Sequence, residues 1–131
     1  MSADAADVHV AMDTAIMEHA ALQATVNGRV YSEIAPENTP LPYIRYGSTG
    51  EQSNERFGGS SGSLGDKVID VFAANKQQIL VVYGHVYDAL HLRRLPLPGD
   101  TWCVGKLLLV GTVPDEQEGA HGVVRYTPRV R

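Results

Sequence analysis

The stretch Lys67-Val68-Ile69-Asp70-Val71-Phe72-Ala73-Ala74-Asn75, continued by Lys76-Gln77-Gln78-Ile79-Leu80-Val81-Val82-Tyr83-Gly84-His85-Val86-Tyr87, decides the fold class. Residues 67–73 alternate. Val68, Asp70 and Phe72 take one face of a strand, and Ile69 and Val71 take the other. At Asn75 the period changes from two to 3.6. Ile79, Leu80, Val82, Tyr83, Val86, Tyr87 and Leu90 then form a broad apolar helix face over residues 75–92, with Asn75 as the N-cap. Gly84 inside that helix costs about 1 kcal/mol against Ala, which points to close packing by another element. The Pro- and Gly-bearing segment 96–99 ends the helix. A strand running straight into an amphipathic helix requires a sheet with a helix packed on it.

On the C-terminal side, residues 102–114 read as a long strand, 115–119 as a turn and 122–130 as the returning strand of a hairpin. On the N-terminal side, residues 8–26 place Val8, Met12, Ala15, Ile16 and Leu22 on one helical stripe, and Asn27-Gly28 stops the helix. Residues 29–34 and 43–48 read as short strands on either side of a loop punctuated by Pro36, Pro40 and Pro42. The expected fold class is therefore α+β. Two helices pack on one face of a mostly antiparallel sheet of about five strands, in the order α-β-β-β-α-β-β. The 131 residues suit a single domain spanning 1–131, interrupted by the glycine-rich stretch 47–65. That stretch holds Gly58 and Gly59 among Ser, Asn and Glu, with only Phe57 and Leu64 apolar. It reads as a flexible loop that contacts a partner, with Phe57, Gly58, Gly59 and Leu64 as its contact residues and its order gained on assembly.

Composition excludes several classes. Hydrophobic residues make up 44% of the chain, enough for a core without staples, and the single cysteine, Cys103, forms no disulfide framework or Cys-rich zinc site. Cys103 is expected to be a small buried hydrophobe. No apolar run is long enough to span a bilayer, and the first ten residues lack the basic and apolar regions of a secretory signal. A net charge of −4 argues against general nucleic-acid binding.

The charge is polarised along the chain. Asp4, Asp7, Asp13 and Glu18 have no Lys or Arg among them, whereas Arg125, Arg129 and Arg131 follow the last acid. Arg93-Arg94 adds a basic pair after the second helix. Opposite charges at the two ends of a small domain favour head-to-tail contact between copies. Asp4, Asp7, Asp13, Arg93, Arg94, Arg125 and Arg129 are accordingly the candidate contact residues.

No catalytic set emerges. The stretch 58–65 (GGSSGSLG) lacks the closing Gly-Lys-Ser/Thr of a phosphate loop, and a strand follows it where a helix is needed. Its Gly-x-Ser-x-Gly match lacks the strand–turn–helix context of a nucleophile elbow. His85 and His91 are six apart on different helix faces, and His9 and His19 are ten apart. Neither spacing suits a metal, so no metal, cofactor or catalytic residue is assigned.

Three stretches resemble the tail-completion or head–tail joining proteins of long-tailed phages, whose fold is shared with the tail terminators. They are Asn27-Gly28-Arg29-Val30-Tyr31 with Ala35-Pro36-Glu37-Asn38 and Leu41-Pro42-Tyr43-Ile44-Arg45-Tyr46; Lys67-Val68-Ile69-Asp70-Val71-Phe72-Ala73 with its following helix; and the closing hairpin. The resemblance implies a structural virion protein of the phage neck with no enzymatic activity. Such a protein forms a ring, a hexamer by family habit, that caps the tail tube. It joins the tube protein to the head-completion or connector protein and lets DNA pass through its lumen without reading sequence. A third reading is a minor-tail or gene-transfer-particle component with the same fold. The alternative is a small α+β enzyme or ligand-binding domain with Tyr31, Tyr43, Tyr46 and His85 around a pocket.

Overall fold

A computed structural model describes residues 5–32, 34–47, 66–115 and 119–130. Most of the segment expected to form a flexible loop, with Phe57, Gly58, Gly59 and Leu64, lies outside these residues, as does Asp4. The chain runs through α1 (Ala5–Glu18), α2 (Ala20–Val26), β1 (Val30–Tyr31), β2 (Tyr43–Gly47), β3 (Lys67–Ala73), α3 (Lys76–Leu90), β4 (Leu95–Leu97), β5 (Thr101–Asp115) and β6 (Gly119–Val130). The class is α+β, but the expected arrangement needs correcting. The sheet is mixed and six-stranded, in the order β1-β2-β3-β6-β5-β4.

Each difference has a physical cause. The helix expected over residues 8–26 breaks at His19, whose backbone is extended and whose Nδ1 accepts a 3.2 Å hydrogen bond from the Leu22 N–H. Histidine is not among the strong N-cap residues, so its side chain gave no boundary signal. β1 is two residues long and pairs in parallel with β2, Val30 opposite Ile44. The proline-rich segment between them supplies the crossover that a parallel pair needs. β4 lies where only a helix terminator was expected. Leu95 and Leu97 are buried and Pro96 is exposed, an alternation too short to register as a strand until β5 pairs with it. Pro96 is tolerated because β4 is an edge strand.

The strongest sequence signals hold. β3 occupies residues 67–73 as expected, and Asn75 caps α3 by accepting a 2.9 Å bond from the Gln78 N–H. α2 ends through Asn27 and Gly28, both at positive φ. β5 and β6 form the closing hairpin, with a bulge between Leu109 and Gly111.

The helices cover one face of the sheet. Val8, Met12 and Ile16 of α1, Leu22 and Val26 of α2, and Ile79, Val82 and Val86 of α3 meet Ile44, Ile69, Val71, Val124 and Tyr126 in one core. α3 comes so close to β6 that a Cβ on Gly122 would lie 2.6 Å from Ile79 Cγ2. Close packing was expected at Gly84 instead, and this is corrected: among the described residues no other element comes within 4 Å of a Cβ there. Cys103 is fully buried, 3.9 Å from the Tyr126 hydroxyl.

Burial raises three proton affinities. The Tyr46 hydroxyl is pushed well above the usual phenol range by burial and by Asp13, to which it donates at 2.9 Å. Tyr126 is pushed up by burial and by neighbouring Cys103, and the Cys103 thiol is pushed up by burial. The unfolded chain therefore releases these protons at lower pH than the folded one. Their stabilisation is complete below about pH 8 and falls as pH climbs past the unfolded cysteine value of about 8.5 and the unfolded tyrosine value of about 10, until the folded groups themselves ionise. Urea midpoints at about pH 8 and 10.5 check this, with a clear fall expected at the higher pH.

Candidate functional site

A groove of about 750 Å³ runs between α1, the C-terminal end of α3 and β4. Val10, Ala11, Leu95 and Leu97 give it apolar walls, while Asp7 and Glu18 from α1, Asp88 from α3, and Arg93 and Arg94 rim it with both signs of charge. Arg93 Nε donates to the Asp88 carbonyl oxygen at 3.1 Å, and the Arg94 guanidinium lies 4.8 Å from the Trp102 ring. The acids and the basic pair are far apart in sequence. The break at His19, the end of α3 and the β4 edge bring them together in one copy.

Asp13 plays another part. It ties α1 to β2 by accepting the Tyr46 hydroxyl bond, and the His9 ring packs against Tyr46 at 4.7 Å. Arg125 and Arg129 stand on the opposite side of the molecule, exposed on the face of β6 that the helices do not cover. Arg125 Nε is 3.7 Å from Asp66, a partner that sequence proximity did not reveal.

That open face carries a cluster the sequence reading did not single out. Asp70, nearly buried, bridges Arg45 at 3.2 Å and His121 at 2.9 Å. Around it the rings form a row: Tyr31 meets Tyr43 edge to face, Tyr43 stacks on Phe72, and Phe72 stacks on His121 at 4.4 Å. Arg45 also sits 5.0 Å from the Phe72 ring. The alternation in residues 67–73 already placed Asp70 and Phe72 on one face. Only the register of three strands, β2, β3 and β6, could add Tyr43, Arg45 and His121 to it.

The four residues of the enzyme alternative do not converge. Tyr31 and Tyr43 lie on the open face, Tyr46 sits under α1, and His85 is 6.1 Å from His19 on the helix side. His91 caps α3, and its Nδ1 accepts from the Leu107 N–H at 3.0 Å. Among the described residues, no group of three His, Cys, Asp or Glu side chains is placed to hold a metal. No described helix is long and apolar enough to cross a membrane.

The fold is shared with a solved chain from "Virion of native gene transfer agent (GTA) particle". The match has a TM-score of 0.69 at 20% identity and covers 99% of this chain and 98% of that one. No curated protein matches the chain. Residues 10–131 match the family described as "Tail completion protein gp17", a span that takes in every strand and all but the start of α1. On that match the chain belongs to the tail completion protein gp17 family.

Proposed function

We propose that the protein closes into a ring, six copies in number, at the head-proximal end of the tail tube. The ring ends tube growth, joins the tube protein to the head-completion or connector protein, and lets DNA pass without sequence-specific binding. The family makes the chain a structural protein of the virion tail, and the proposal concerns how it assembles there. The solved chain of the same fold is described as part of a gene transfer agent virion, which supports a particle component.

The observation that carries the ring is the placement of charge on two opposite sides. On the helix side Asp7, Glu18 and Asp88 border a groove that Arg93 and Arg94 also line, whereas the open sheet face presents Lys106, Arg125 and Arg129. A copy built this way meets the next one head to tail, and a heterologous contact that closes gives a ring. A single exposed pair is worth only about 0–1 kcal/mol, so charge sets orientation while apolar burial holds the copies together.

The double substitution Arg125→Glu and Arg129→Glu tests the assignment. Self-assembly is expected to weaken about tenfold, with its salt dependence reduced, as read by sedimentation across a salt series. If these arginines face DNA in the lumen instead, rings form normally and only retention of packaged DNA falls. Unchanged assembly with unchanged salt sensitivity removes them from the contact between copies.

A further inference from the structure

Most of the described glycines are explained by the fold, through a positive φ or a neighbour that blocks a Cβ. Gly84 and Gly111 are not. Neither has a positive φ, and among the described residues nothing beyond the adjoining chain lies within 4 Å of a Cβ built on either. Glycine weakens a helix interior, so Gly84 gains nothing from it within one copy, while Gly111 stands at the β5 bulge with its Cβ position open.

Both glycines sit inside exposed apolar patches. On α3, Gly84 is at the centre of the solvent-facing side, opposite buried Ile79, Val82 and Val86. One turn before it are Leu80 and Val81, and one turn after it are Tyr87 and Asp88. Leu80, Val81 and Tyr87 are 46%, 50% and 39% exposed. Four side chains around a missing one make a hole on a helix surface. On β5, Gly111 follows the bulge and lies between Val110 and Val113, with Leu108 further along the strand. Leu108, Val110 and Val113 are 58%, 50% and 55% exposed. Single exposed apolar residues need no explanation, but two grouped patches, one of them around an otherwise costly glycine, do.

We propose that these patches are the two halves of one contact between copies. The Gly84 hole of α3 receives the Leu108–Val113 stripe of the next copy. The α3 patch points away from the sheet on the helix side, whereas the β5 stripe stands on the face the helices leave open. They cannot meet within one chain, so the contact is heterologous. Charge supports a second copy as the occupant. Exposed Asp88 borders the hole, while exposed Lys106 borders the stripe, and Arg125, its Nε 3.7 Å from Asp66, stands opposite Leu108 in the β5–β6 register. The two glycines let helix and strand backbones come close. The inference rests on the ring reading above and supplies the apolar burial that reading requires.

Two variants test it. Gly84→Leu fills the hole, and Leu108→Asp puts a charge on the stripe. Both positions are exposed, so each variant is expected to keep the circular dichroism and thermal transition of the parent. If one does not, Val81→Lys or Val110→Lys replaces it on the same patch. Each variant alone is expected to sediment as a single copy. Mixed in equal amounts they are expected to form a two-copy species and nothing larger, because the intact stripe of the first meets the intact hole of the second. Variants that form rings like the parent overturn the assignment, as does a mixture that stays single. A parent chain that never self-associates, alone or on tails, overturns the ring reading itself and this inference with it. Variants that form normal rings but fail to cap tails overturn the second copy as occupant in favour of the tube protein.

Discussion

Gly105→Val is expected to destabilise the protein by about 3 kcal/mol. A Cβ at position 105 would lie 2.7 Å from the Thr127 carbonyl oxygen and 2.7–2.8 Å from the Tyr126 ring. β5 cannot retreat to make room. The Gly105 carbonyl accepts the Leu92 N–H at 2.8 Å, His91 bridges to Gly105, and the Leu107 N–H is bound to the His91 ring. Moving the strand breaks the joint between the end of α3 and the hairpin. Urea unfolding should show a lower midpoint with an unchanged slope. A midpoint within a few tenths of a kcal/mol of the parent would show that the hairpin yields more easily than these contacts allow.

Tyr126→Ala is expected to cost about 3–5 kcal/mol, the range for removing a buried aromatic side chain. Tyr126 is fully buried at the centre of the sheet's helix-facing side, packed over the Cα of Gly105. Tyr126→Phe separates packing from hydrogen bonding. Among the described residues the hydroxyl's partner is the Cys103 sulfur, at 3.9 Å, so its loss should cost about 1 kcal/mol or less. Residues 105 and 126 compete for the same space, which gives a further check. The double variant Gly105→Val/Tyr126→Ala should cost less than the sum of the single changes, by about 1 kcal/mol or more, because the valine occupies part of the space the ring leaves. Strict additivity would contradict the contact between them.

This joint bears on assembly. α3 carries the Gly84 hole and β5 carries the Leu108–Val113 stripe, and the contacts around Gly105 fix one element relative to the other. Conservative changes here are therefore expected to alter the geometry of self-association as well as stability.

Some of the molecule was legible from local patterns, because local physics decides those features. The alternation of residues 67–73 and the 3.6 period after Asn75 needed no partner to be read, since each reflects which side of an element faces the core. Asn27-Gly28 reported a helix end through left-handed backbone angles that few other residues adopt comfortably. The closing hairpin was visible as two long strands around a polar turn, and Cys103 as a small apolar side chain within one of them.

Tertiary contacts decided what remained. Leu95-Pro96-Leu97 is a strand because β5 offers a ladder to it, and Val30-Tyr31 pairs in parallel because a proline-rich crossover returns the chain on the same side. His19 ends a helix only because its ring reaches the Leu22 N–H. The candidate charges show the same dependence. Asp7 and Glu18 share a groove with Arg93 and Arg94, and Arg125 finds Asp66, although each pair is remote in sequence. Glycine shows it most sharply. One letter stands for a close approach by Ile79 at Gly122, a crowded joint at Gly105 and open solvent at Gly84. A residue without a side chain carries no periodic signal, so its role lies entirely in what the fold brings near it.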